Sequence, residues 1–377
     1  MKYYIIAGEA SGDLHGGNLM RAIGQMDSDA TIRFWGGDHM AEAAAEFATG
    51  RTSQPRHIRD LAIMGIVEVV THLGSVLGNI GFCKRDILSF NPDVVVFIDY
   101  PGFNLRIAKF THAKGFKNVY YISPQIWAWK KGRIRPMRRV LDRLCYILPS
   151  ERKFYAENYF PQAVYVGHPL LDAVERYKNE PIPSNDTRPR VALLPGSRKQ
   201  ELRRVLPAMM RLASRHPQYH FTIAGMSLLG DKFYKEFLCG DCSNVDLVYD
   251  RTYDLLASVS AAVVCSGTAT LETALFRVPQ VVCYQCNPLS AAIARRLIAS
   301  RIKYISLVNL INDEPVVEEL IQDGFDDDSL EKAFVKLFDD DARKAMLDGY
   351  QRMIDILGGG GASLRTAEEI QKVLSRE

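Results

Sequence analysis

The alternation of short β-branched runs with longer helical patterns constrains this chain most. Parallel βαβ units produce that rhythm, and a sandwich does not. The first series predicts strands at 3–7, 31–36, 94–98, 119–122, 144–148 and 164–166. A stretch rich in Pro and Asn, residues 181–189, then interrupts it and reads as a linker. The rhythm restarts at 191–194, 221–224, 245–248, 261–265, 280–283 and 304–307. The expected fold class is therefore α/β, with two Rossmann-like, doubly wound domains facing a cleft, at 1–180 and 190–357. A length of 377 residues suits two such domains at ~100–200 residues each. Four consecutive glycines, Gly358 to Gly361, cannot continue a helix cheaply, so the helix expected at 363–375 is free to cross back over the first domain.

Charge narrows the partners. With 47 basic and 44 acidic residues the net charge is +3, too even for a surface that wraps nucleic acid. The opening apolar run meets Glu9 and Asp13 almost at once, unlike a secretory signal, and the expected compartment is the cytosol. Seven cysteines, an odd number, fit a reducing environment. Two CxxC pairs, Cys239/Cys242 and Cys283/Cys286, lie too far apart for a zinc ribbon and are read as buried or incidental thiols.

Ligands of open parallel sheets bind beyond the carboxyl ends of the strands, where helix N-termini present free N–H groups. Three strand-to-helix loops stand out. Gly8-Glu-Ala-Ser-Gly-Asp13 follows the first strand; Ser11 offers a hydroxyl and Asp13 a helix cap, so a binding loop and a capped tight turn both remain open. Leu194-Pro-Gly-Ser-Arg198 opens the second series: Gly196 and Ser197 would bare N–H groups to an anion, and Arg198 would grip phosphate oxygens. Cys265-Ser-Gly-Thr-Ala-Thr-Leu-Glu272 repeats the arrangement, with Ser266, Gly267 and Thr268 at the helix start and Glu272 one turn in, within reach of a ribose. Two such loops in one domain suggest a nucleoside diphosphate. In the first domain Asp99 ends a buried strand at its carboxyl end and is a candidate general base or a turn cap, whereas Asp93 lies at the opposite end. The only DxD triplet near a strand of the first domain, Asp27-Ser-Asp29, also falls at the wrong end of the sheet, so no metal is expected. A nucleotide site plus a carboxylate base suits glycosyl transfer from a nucleotide sugar.

Two further segments carry apolar or basic signals. Residues 61–82 form the most apolar long stretch, containing Met64, Ile66, Val67 and Val69; Glu68, His72 and Asn79 disfavour a membrane span, leaving a core helix or a lipid pocket. Trp127 and Trp129 precede a basic run, Lys130, Lys131, Arg133, Arg135, Arg138, Arg139 and Arg143, that reads as an interfacial anchor on anionic lipid or as a phosphate or RNA patch. No RNA-binding motif accompanies it. Residues 130–143 hold seven basic residues and one Asp, a local +6, which leaves the rest of the chain at −3.

In order along the chain, Gly8-Glu-Ala-Ser-Gly-Asp13, Met64-Gly-Ile-Val-Glu-Val69, Asp99-Tyr-Pro-Gly-Phe-Asn104, Ser123-Pro-Gln-Ile-Trp-Ala-Trp129, Val166-Gly-His-Pro169, Leu193-Leu-Pro-Gly-Ser-Arg198 and Ser266-Gly-Thr-Ala-Thr-Leu-Glu272 closely resemble the lipid-A-disaccharide synthase family. The resemblance runs from about residue 3 to residue 310. It implies a GT-B fold and an inverting, metal-independent transfer with no cofactor. UDP-2,3-diacylglucosamine would be the donor and 2,3-diacylglucosamine 1-phosphate the acceptor. By position Asp99 matches the base that takes the acceptor proton. Arg198, Glu272 and Asn309 match donor-site positions, and Ser11 the first loop. Val308 stands where the family commonly has Pro. The resemblance also implies attachment to the inner face of the cytoplasmic membrane, a lipid pocket at 61–82, and a homodimer.

Overall fold

A computed structural model describes residues 1–60, 73–124, 126, 131–177, 182, 186–238, 243–286 and 303–375. The chain divides into two compact units, one of Met1–Glu175 with Gly359–Glu377 and one of Arg176–Gly358. Each unit is built on a parallel sheet.

In the first unit the strands are β1 (Lys2–Ala7), β2 (Thr31–Gly36), β3 (Thr52–His57), β4 (Val94–Ile98), β5 (Lys117–Tyr121), β6 (Arg143–Tyr146) and β7 (Ala163–Tyr165), in the order β3-β2-β1-β4-β5-β6-β7. All pairings are parallel, with Tyr3 opposite Val94 and Ala7 opposite Ile98. Strand β4 is completely buried, so both faces must be apolar, which explains its unbroken Val-Val-Val-Phe-Ile. One face packs Tyr3, Ile5, Val94 and Val96 with Leu19 and Ile23 of helix Ala10–Met26. The other packs Tyr4, Ile6, Val95 and Phe97 with Ile87 and Ile107. Burying side chains of this size contributes ~1.5–3 kcal/mol each before chain entropy is charged against it.

In the second unit β8 (Arg190–Leu194), β9 (His220–Gly225), β10 (Val245–Tyr249), β11 (Ala261–Cys265), β12 (Gln280–Tyr284) and β13 (Glu318–Ile321) take the order β10-β9-β8-β11-β12-β13. Both units are Rossmann-like. Two strands, β3 and β13, are absent from the sequence expectation, and both are edge strands. Thr-Ser-Gln-Pro-Arg-His and Glu-Glu-Leu-Ile lack an apolar run because an edge strand is covered less than a central one. The strand expected at 304–307 does not form; Ser306 instead caps helix Leu307–Asn312, its hydroxyl accepting the Asn309 N–H at 3.2 Å.

The last helix, Ala362–Leu374, belongs to the first unit and adds Ala367, Ile370 and Val373 to its core. Its start is held by Asp172, whose carboxylate accepts the N–H groups of Gly361, Ala362 and Ser363 at 2.6, 3.1 and 2.8 Å. Gly360 approaches Glu175 so closely that a Cβ there would lie 2.5 Å from the carboxylate. Arg143, counted with the basic run in the sequence, is instead buried and ion-paired with Glu369 of this helix at 3.0 Å.

Candidate functional site

A doubly wound sheet has a switch point where successive crossovers run to opposite sides, and ligands gather there. In the first unit it lies between β1 and β4. The loops leaving these strands begin at Gly8 and Asp99, and they touch. A Cβ on Gly8 would sit 2.3 Å from the Tyr100 ring, so only glycine lets the loops close. Ser11 is exposed on the first turn of helix Ala10–Met26, whereas Asp13 is buried. Its carboxylate does not cap its own helix: it accepts the N–H groups of Gly37, His39 and Met40 at 2.5, 3.0 and 3.1 Å, capping helix Asp38–Ala44. Asp13 therefore ties the first loop to the loop after β2.

Asp99 and Tyr100 both adopt left-handed backbone, with φ of 43° and 50°. Two successive non-glycine residues in that region cost ~1–3 kcal/mol each, so the surroundings must enforce the conformation. They do so through the Asp99 carbonyl, which accepts Asn104 Nδ2 at 2.7 Å and the Tyr120 hydroxyl at 2.5 Å, and through the Asp99 N–H, donated to the Tyr121 carbonyl at 3.1 Å. Burial raises the Asp99 carboxyl to about 6, the Glu9 carboxylate adds to the rise, and a hydrogen bond from the Tyr100 N–H opposes it. The group is thus ionised at neutral pH yet more basic than an ordinary aspartate. That suits a general base.

In the second unit the switch point lies between β8 and β11, where the two small-residue loops stand side by side. Gly196 has φ of 101°, and a Cβ there would lie 3.1 Å from Glu201 Oε2 and 3.4 Å from Cys265 Sγ. Ser197 and Arg198 are exposed, with the Arg198 guanidinium 3.2 Å from Glu201. On the β11 side Gly267 and Thr268 are exposed at the start of helix Thr268–Leu275. Ser266 points elsewhere, its hydroxyl donating to the Ile305 carbonyl at 3.2 Å. Glu272, partly buried on that helix, accepts the Tyr253 hydroxyl at 2.9 Å, and burial raises its carboxyl.

Asn309, expected at a donor-site position, is held inside the second unit. It is 1% exposed and its amide is engaged throughout: Nδ2 donates to the Val317 carbonyl at 2.8 Å and to Glu319 at 2.9 Å, and Oδ1 accepts the Val317 N–H at 2.9 Å. Glu319 also accepts the N–H groups of Ile305 and Ser306 at 3.0 and 2.9 Å. Together Asn309 and Glu319 fix the turn against which Ser266 is held. Sequence reasoning missed Glu319, whose one signal is an acidic residue inside a short strand, and it missed Tyr253 and Glu9.

Of the lipid-associated residues, Met64, Ile66, Val67, Val69, Trp127, Trp129 and Lys130 lie outside the described residues, as do Cys239 and Cys242. Helix Leu73–Phe90 covers the end of the apolar stretch. Lys131 and Arg133 begin the next described turn, and in helix Ile134–Val140 Ile134, Met137 and Val140 are buried while Arg135, Arg138 and Arg139 face outward. Among the described residues no helix is long and apolar enough to cross a membrane.

A family model described as lipid-A-disaccharide synthetase matches residues 3–367. The lipid-A-disaccharide synthase of Geobacter sulfurreducens is 35% identical over 383 residues, covering 99% of this chain and 97% of that protein. That of Syntrophus aciditrophicus is 36% identical over 376 residues, covering 96% and 95%. Among solved structures, a putative UDP-N-acetylglucosamine 2-epimerase from Listeria monocytogenes aligns with a TM-score of 0.69 at 14% identity, covering 98% of this chain and 96% of that one. The glycosyltransferase of kitacinnamycin aligns at 0.63 and 14%, covering 99% of each chain. These likenesses show the fold, two Rossmann-like units of the GT-B class.

Proposed function

The chain belongs to the lipid-A-disaccharide synthetase family, a family of glycosyltransferases of lipid A biosynthesis, and from that premise we propose how its residues divide the reaction. The chain condenses UDP-2,3-diacylglucosamine with 2,3-diacylglucosamine 1-phosphate. The acceptor 6-hydroxyl oxygen forms a bond to the donor's anomeric carbon, the bond from that carbon to the diphosphate breaks, and UDP departs with the electron pair. The hydroxyl proton passes to Asp99. Attack opposite the leaving group inverts the anomeric centre and gives the β(1→6) tetraacyl disaccharide 1-phosphate.

The observation that carries this reading is Asp99 itself, a carboxylate held in left-handed backbone at a switch point and made more basic by burial. In the second unit the N–H groups around Gly196, Ser197, Gly267 and Thr268, with the Arg198 guanidinium, present positive charge to a departing diphosphate, and this supports metal-independent departure of UDP. Glu272 accepts from the ribose. Ser266 and Asn309 act at one remove by shaping the loop, and Ser11 lines the first loop. The outward arginines, Arg135, Arg138 and Arg139, support peripheral attachment to an anionic membrane, where both lipid substrates reside.

Purified protein given both diacylated substrates is expected to release UDP and the disaccharide in equal amounts, and folded protein that releases neither would overturn the proposal. Asp99→Asn, nearly isosteric but unable to take a proton, is expected to lower turnover ~10²–10⁴-fold while UDP affinity stays unchanged.

A further inference from the structure

The carboxylate of Glu272 has a fixed neighbour that no sequence pattern announces. Tyr253, on helix Thr252–Leu256, donates its hydroxyl to Glu272 Oε1 at 2.9 Å. Its ring is set by two others: Tyr177 meets it edge-on with centroids 5.8 Å apart, and Phe276 packs against it at 5.2 Å. Tyr177 and Phe276 also meet each other edge-on at 5.4 Å, closing a triangle. The triangle is anchored in turn, because the Tyr177 hydroxyl donates to Asp254 Oδ1 at 2.5 Å and Arg251 Nε to Asp254 Oδ2 at 2.7 Å. The Tyr253 hydroxyl therefore occupies a place determined by packing rather than by the bond it makes.

An ionised carboxylate has four acceptor positions on two oxygens and a side chain with several free torsions. A hydroxyl donating to Oε1 from a rigid ring removes much of that freedom and leaves Oε2 to accept from a ligand. Burial works against ionisation of Glu272, and the tyrosine hydrogen bond opposes that effect. The tyrosine stays protonated, since burial and the Glu272 charge both push its own ionisation far upward. The proton of this pair therefore stays on the phenol, which donates to the carboxyl oxygen.

We infer that Tyr253 is a positioning residue for nucleotide recognition, holding Glu272 so that its remaining carboxylate oxygen accepts a ribose hydroxyl of the uridine diphosphate group. The inference rests on the reading of Glu272 as the ribose acceptor. It adds that the selectivity for a ribonucleotide is set by a residue that does not touch the ligand.

The test is calorimetric binding of UDP, 2′-deoxy-UDP and 3′-deoxy-UDP to the full chain, to Tyr253→Phe and to Glu272→Ala. Phenylalanine keeps the ring and its two aromatic contacts and deletes only the hydroxyl, so the fold is retained; circular dichroism checks this for both variants. In the unaltered protein, the analogue lacking the hydroxyl that Glu272 accepts binds more weakly than UDP. Tyr253→Phe is expected to weaken UDP ~5–10-fold, about what loss of one ordinary hydrogen bond costs, while leaving the affinity for that analogue unchanged. Equal weakening of UDP and both analogues would mean that Tyr253 contacts another part of the nucleotide or serves only the fold, and unaltered UDP binding would mean that Glu272 needs no such partner. Either result overturns the inference. Glu272→Ala separates the two levels. If it abolishes discrimination between UDP and the analogue, the ribose reading stands whatever Tyr253 does; if discrimination survives, that reading fails and the inference falls with it.

Discussion

Asp99 combines two costs that a structural aspartate would not keep: a left-handed backbone and a carboxylate whose ionisation burial opposes. The linkage sign follows from its raised pKa. Above about 6 the folded chain carries a charge that the unfolded chain accommodates more easily, and this penalty disappears as pH falls below the unfolded value of 3.8. Asp99→Asn is therefore expected to stabilise the first unit at neutral pH by ~1–2 kcal/mol, with the gain vanishing in acid, as urea denaturation at two pH values would show. Equal stability of the two proteins at neutral pH would contradict the burial account. Asp99 was legible in the sequence because it ends an unbroken apolar strand. The true work of Asp13 was not, because capping a helix whose first residue is Asp38 depends on a neighbour brought close only by the sheet. The same holds for Tyr253, which meets Glu272 only after the intervening strand β11 has folded.

At the scale of elements, central strands could be read directly from β-branched runs, because burial on both faces demands them. Edge strands β3 and β13 could not, since their sequences answer to one neighbour and to solvent. The final helix shows how one side chain secures a distant element. Asp172 satisfies three N–H groups of its first turn from a position nearly two hundred residues earlier. Asp172→Ala would leave those donors unpaired and is expected to cost ~2–4 kcal/mol. Amide exchange in residues 362–374 should accelerate ahead of the rest of the first unit, whereas unchanged exchange would show that apolar packing alone holds the helix. The four glycines before it predicted a helix free to cross back over the first domain; the partner that fixes its start was invisible in the sequence.

For the whole molecule, the near-neutral total conceals a division of charge. With Arg143 spent on an internal ion pair, the exposed part of the basic run is led by Arg135, Arg138 and Arg139 on one helix. Replacing these three with Glu is expected to weaken sedimentation with anionic vesicles strongly and with neutral vesicles little, and equal binding of both proteins would refute the anchoring role. Each unit places its candidate chemistry at its own switch point, a base in the first and an anion-binding pair of loops in the second. Their joint action in glycosyl transfer is tested most directly by kcat/KM for disaccharide formation across the acidic range, in the unaltered protein and in Asp99→Asn. The account predicts that the unaltered protein loses about tenfold in rate per pH unit below about 6, and that the variant is slow throughout and lacks this limb. A variant that retains both the rate and the limb would contradict it.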